Sequence, residues 1–171
     1  MSTSPPPSRS IWWQASARGG VSAAFAGAHQ MVGLGSLAPA QLDAEPWRPY
    51  VRILRACVGA HVILALRQHM RHEEWLSWAA SVVAYLGSTP FDSLGARDRI
   101  RAILLQAEQA RFETDTDFLV RHATAPHEVG EPCHQLAQQT VGPALDKFSP
   151  MIIPQILANA AAARDPRPGA T

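Results

Sequence analysis

The chain has 171 residues, of which 47% are hydrophobic and 17% charged, and a formal net charge of +1 at pH 7. This length suits one domain, or two small helical lobes sharing a core. The composition excludes disorder throughout, and the near-neutral charge excludes a generally basic nucleic-acid coat. Cys57 and Cys133 sit in no Cys-x-x-Cys pattern, which argues against a disulfide framework and for a reducing, cytoplasmic setting.

Residues 1–9 are Ser/Pro-rich and read as a disordered tail, as do residues 164–171. Between them, 10–163 reads as one helical domain, with a join between two lobes at 87–95. A first helix is expected over Ser10–Val32, capped by Ser10 and stopped by Gly33 and Gly35. The run 19–40 is small and apolar and ends Leu37-Ala38-Pro39-Ala40, loosely like an export cleavage site. His29 and Gln30 interrupt it and Trp12 and Trp13 lie upstream, so it reads as part of the fold. No stretch is long and apolar enough to predict a membrane span.

A second helix is expected from Trp47 to Arg71. Val51, Leu54, Val58, Val62 and Ala65 recur at spacings of three and four, which is one face. Around Ile63–Leu66 the sequence is apolar on all sides and predicts deep burial. A third helix carries Trp75, Trp78, Ala79, Val82 and Leu86 inward and stops at Gly87. A fourth spans Ala96–Phe112 with Ile100, Ile103, Leu104 and Ala107 inward. A short helix follows over Thr116–His122, capped by Thr114 or Asp115. Pro126, Pro132, Pro143, Pro150 and Pro154 then predict short helices only, at Cys133–Val141, Ala144–Phe148 and Ile153–Ala163. The expected fold is all-α, a compact bundle of about six to eight helices.

The charge pattern carries most of the functional information. Fourteen of the fifteen basic residues are arginine, and Lys147 is the one lysine. Arg48, Arg52, Arg55, Arg67 and Arg71 fall between Pro46 and His72, where no acidic residue occurs. Arg48, Arg52 and Arg55 share one helical face, while Arg67 and Arg71 lie on another side. Arg97, Arg99 and Arg101 form a second cluster. An arginine fork binds phosphate oxygens bidentately, so these six are candidates for contact with nucleic acid or a partner. The alternative is a solvated face pairing with the acidic stretch that holds Glu108, Glu113, Asp115, Asp117, Glu128 and Glu131.

Other chemistry is sparse. His69 and His72, with Glu73, could offer metal ligands on one helix face. Glu131 and His134 make a single Glu-x-x-His, where a bundle di-iron site needs two. No nucleophile elbow or phosphate-binding loop is present. Cys133 and the adjacent His134 point about 100° apart on a helix and form no dyad. No catalytic residue, metal or cofactor is predicted, and His61 reads as a hydrogen-bonded core histidine.

The order of segments resembles the small all-helical subunit of the type I-E CRISPR surveillance complex, the CasB family. The resemblance rests on Ile11-Trp12-Trp13 leading to Arg18-Gly19-Gly20, and on the proline-led run from Glu45-Pro46-Trp47 to Leu54. It rests further on the arginine-rich run Ala96–Glu108 and the segment Asp117–Ala123. The chain departs from the family's usual Arg-Arg pair, reading Ser22-Ala23-Ala24-Phe25 there. The resemblance implies a non-catalytic subunit of an antiviral complex whose partners are other protein subunits and single-stranded nucleic acid or guide RNA. It implies no membrane, and self-association is open. Two other readings stand beside it. One is a helical adaptor or phage-associated interaction protein without nucleic acid. The other is a small metal-binding or enzymatic domain using His69, His72 and Glu73.

Overall fold

The computed structural model describes residues 24, 26–30, 32–34, 41, 44–87 and 95–164. Among them the protein is all-α, without a strand. The helices are α1 (Trp47–Leu66), α2 (His72–Gly87), α3 (Ala96–Gln109), α4 (Thr116–Ala123) and α5 (Pro132–Arg164), with 3-10 turns at Arg67–His69 and Pro126–Glu128. Helical backbone also includes Ala24 and 26–30. The expected helix start at Ser10, the tail 1–9 and nearly all of the 87–95 join lie outside the described residues.

The centre of the fold is α1. Tyr50, Val51, Ile53, Leu54, Ala56, Cys57, Val58, Ala60, Val62, Ile63 and Leu66 are all buried, so its apolar surface runs nearly all the way round. It packs against α3, α4 and α5. Together with the 3-10 turn, this helix is long and apolar enough to cross a membrane, but 72% of that window is covered by the rest of the protein. That burial marks the core helix of a bundle. Pro49 causes no break, because it sits in the first turn where backbone N–H groups have no helical acceptor.

The expected extension of this helix to Arg71 is not seen. Arg67 N–H turns to Leu64 O, tightening the end into a 3-10 turn, and Met70 is extended at φ −134°, ψ 157°. That tightening takes the helical donor away from Ile63 O. The Trp75 indole N–H from α2 replaces it at 2.7 Å. The tryptophan period thus fills the core, with Trp75 and Trp78 both buried, and also closes the exposed end of α1.

Between α3 and α4 the chain passes through Arg111 and Phe112, both in the left-handed region at φ 54° and 63°. Phe112 N–H donates to Ala107 O at 2.7 Å, which ends α3. Asp115 then caps α4, its carboxylate accepting from Phe118 N–H at 2.8 Å.

The largest correction concerns the C-terminal third. The three short helices expected there are one 33-residue helix with Pro143, Pro150 and Pro154 inside it. Spacings of seven and four place these prolines within about 40° of one another on the helical wheel. All three are exposed. The carbonyls that lose an N–H donor therefore lie toward water, which can satisfy them, and the buried face stays intact. Pro132 opens the helix at a position that needs no donor.

Two side-chain bonds fix how α5 lies on α1. Tyr50 Oη pairs with Thr140 Oγ1, and His61 Nε2 with Ser149 Oγ, each at 2.8 Å. Ascending order on both helices means that they run in the same direction.

Candidate functional site

The arginine stripe splits three ways. Arg55 is inside the protein, 7% exposed, with its Nε donating to His29 Nε2 at 3.4 Å. Burial, and then the nearby Arg55 charge, push the His29 pKa down to about 4, so the imidazole is neutral and free to accept. Arg55 therefore leaves the candidate contact surface: its face of α1 is covered by the chain around His29.

Arg52 and Arg99 converge on one carboxylate. Arg99 Nη1 makes a short ion pair with Glu128 Oε1 and also donates to Ala123 O at 2.7 Å. Arg52 Nη1 lies 3.9 Å from Glu128 Oε2. Glu128 is only 4% exposed, and its Oε1 also accepts from Ala125 N–H at 2.9 Å. Burial alone would raise its pKa, but the hydrogen bonds from Arg99 and Ala125 and both guanidinium charges outweigh it. The carboxyl is held below its ordinary value. This cluster ties α1 and α3 to the turn that leads into α5.

Arg48 is exposed at the start of α1. Partial burial, then the Arg99 charge and more weakly Arg48, weaken the hold of Arg52 on its proton, while Glu128 and Glu45 oppose them. Three cations therefore gather at this edge, with Glu128 and Glu45 acting on Arg52 in the opposite sense. Arg97 and Arg101 lie roughly on the opposite side of α3 from Arg99. Arg97 crosses Gly87 at the end of α2, where a β-carbon would collide with its guanidinium, and its Nε reaches Asp98 at 3.4 Å. Arg101 is exposed. The six predicted arginines therefore make no single surface. Arg48 with Arg52 is one patch, and Arg97 with Arg101 is another.

The last arginines of the stripe behave differently. Arg71 is exposed. Arg67 lies over the Phe112 ring, 3.7 Å from Cζ to ring centroid, and Phe112 meets Trp75 edge-on at 5.7 Å. This stack borders an open cleft of about 790 Å³ between the end of α1, the turn at 112–115 with the start of α4, and α5. Leu64, Ala65, Leu119, Leu145 and Ile153 are among its apolar lining, and the His61–Ser149 pair also lines it. Deep burial on all sides was expected for Ile63–Leu66. In fact Leu64 and Ala65 are half-exposed, because the cleft opens on their side of α1. Burial lowers the His61 pKa, partly offset by Asp146, which favours the neutral ring.

The metal reading lacks its geometric premise. His69 ends the 3-10 turn and His72 begins α2, with extended Met70 between them, so the pair shares no helix face. His72 instead stacks on Trp75 at 6.1 Å. Among the described residues no three His, Cys, Asp or Glu side chains gather as a metal site. Cys57 is a free thiol in the core, where burial raises its pKa, and Cys133 is free and half-buried.

The observed class is therefore an all-α protein with an arginine–glutamate cluster at one edge and an open cleft at the end of its central helix. No protein-family model, curated protein or solved structure matches the chain.

Proposed function

We propose that this protein is a non-catalytic helical subunit of a nucleoprotein complex, similar in role to a CRISPR small subunit. Its exposed arginines would contact nucleic-acid backbone, and neighbouring subunits would pack beside them. The observation that carries the reading is the gathering of Arg48, Arg52 and Arg99 at one edge beside Glu128 and Glu45. An edge built this way holds Arg52 in place beside Glu128 and presents the exposed Arg48 to a phosphate. Arg101, with Arg97 behind it, supplies a second contact.

The test is anisotropy titration of labelled single-stranded RNA and DNA at rising salt. Binding at low salt should weaken with a slope near −0.7 per phosphate neutralised, about −1.4 when Arg48 and Arg101 each hold one. The Arg48→Ala/Arg101→Ala variant should lose that binding while keeping its helicity. Absence of binding, or binding indifferent to salt, would overturn the proposal. The second reading, a helical adaptor without nucleic acid, draws support from the inward turn of Arg55 and Arg99, and that negative result would select it.

A further inference from the structure

We infer that the cleft at the end of α1 is a binding site for a small amphipathic organic anion, with Arg67 holding the carboxylate and Leu64, Leu119, Leu145 and Ile153 enclosing the apolar body. This site is separate from the arginine edge and does not depend on the nucleic-acid reading.

Arg67 supplies the first argument. It lines the cleft, its Nε is covered and has no hydrogen-bond partner, and no carboxylate among the described residues pairs with it. Among the described residues, the other arginines that turn inward each have a polar partner: His29 for Arg55, and Glu128 for Arg52 and Arg99. Among the described residues Arg67 has only the Phe112 ring, which attracts the guanidinium without neutralising its charge. A half-covered cation of this kind gains most from an anionic ligand, because a bidentate carboxylate matches its fork.

The support beneath it is built at some cost. Phe112 holds φ 63° directly after Arg111 at φ 54°, a conformation unfavourable for an aromatic residue. That geometry sets the ring between Arg67 and Trp75.

The remaining lining suits an apolar body. The volume of about 790 Å³ lies in the usual range for small-molecule sites. From Arg67 back to His61 is about 9 Å along the helix axis, so a chain of moderate length spans the two polar ends. The acids that line the cleft leave Arg67 unmatched: Asp115 is occupied as the cap of α4, and Asp146 lies on α5 near the His61–Ser149 end.

The experiment is calorimetric titration of the full chain with octanoate and, in parallel, octanol. Octanoate should bind at least about tenfold more tightly than octanol, a difference of about 1.4 kcal/mol. Arg67→Gln should abolish that preference while circular dichroism stays unchanged. Ile153→Trp, which fills the cleft and leaves Arg67 in place, should weaken both ligands and so serves if Arg67→Gln does not fold. Equal affinity for acid and alcohol overturns the inference. So does a folded Arg67→Gln that binds octanoate as wild type does, or no octanoate binding up to about 5 mM.

Discussion

Arg99 and Arg67 are the same residue type in the same small protein, and their surroundings give them opposite uses. Arg99 is spent inside a cluster with Glu128, Arg52 and the Ala123 carbonyl. Arg67 is pinned to an aromatic ring beside an open cleft, and no carboxylate among the described residues pairs with it. The first arrangement holds helices together, and the second presents charge to whatever enters. An arginine count therefore says little about binding until each guanidinium has been traced to its partner.

The contrast is broken most strongly at Glu128. Glu128→Gln takes the carboxylate charge from beside Arg99 and Arg52 and should cost about 3 kcal/mol in urea unfolding, whereas Arg67→Gln should cost about 1 kcal/mol or less. Equal losses would remove the distinction.

Acid should act on the same interior. The folded His29 pKa of about 4 lies below the ordinary histidine value of 6.5. Below pH 6.5 the unfolded chain therefore takes up a proton that the folded one refuses, and stability falls as pH drops toward 4. The loss is on the order of 3 kcal/mol at 1.36 kcal/mol per unit. The lowered Glu128 pKa works in the same direction at still lower pH: its contribution is present above the ordinary carboxylate range and is lost as the folded group protonates. His29→Gln should flatten the urea midpoint between pH 6.5 and 4.5 while leaving the lower limb. An unchanged profile would show that His29 is not the buried neutral partner of Arg55.

Smaller effects belong to the exposed arginines. Arg48→Ala and Arg101→Ala should each change stability by less than about 0.5 kcal/mol, as surface substitutions do. Gly87→Ala should displace the Arg97 guanidinium and shift the thermal midpoint by only a degree or two, because the far end of a flexible side chain can move away.

Helix identity was legible wherever apolar spacing and caps agreed. Trp75, Trp78, Val82 and Leu86 mark the buried face of α2, and Asp115 caps α4 as one of the two residues expected to do so. The long C-terminal helix was not legible, because a proline's effect depends on whether its freed carbonyl meets water. One-dimensional spacing records the break and not the exposure. Pro143, Pro150 and Pro154 do share a face by their numbers alone, which is the signal that could have joined the three segments. Glu128 was visible only as one of several acids. Its partners are 29 and 76 positions away, and no local pattern connects them. The cleft left one trace, the excess of apolar residues around Leu64 and Ala65, which reads equally well as core.

The central claim is that the arginines divide into structural and presented ones, and a double-mutant cycle on Arg99 and Glu128 tests it most directly. Urea unfolding of Arg99→Met, Glu128→Gln and the double variant should show a coupling energy of at least about 1.5 kcal/mol, while the same cycle on Arg67 and Glu128 should show less than about 0.5 kcal/mol. Additive losses for Arg99 and Glu128 would contradict the account, because Arg99 would then be as free of the fold as Arg67.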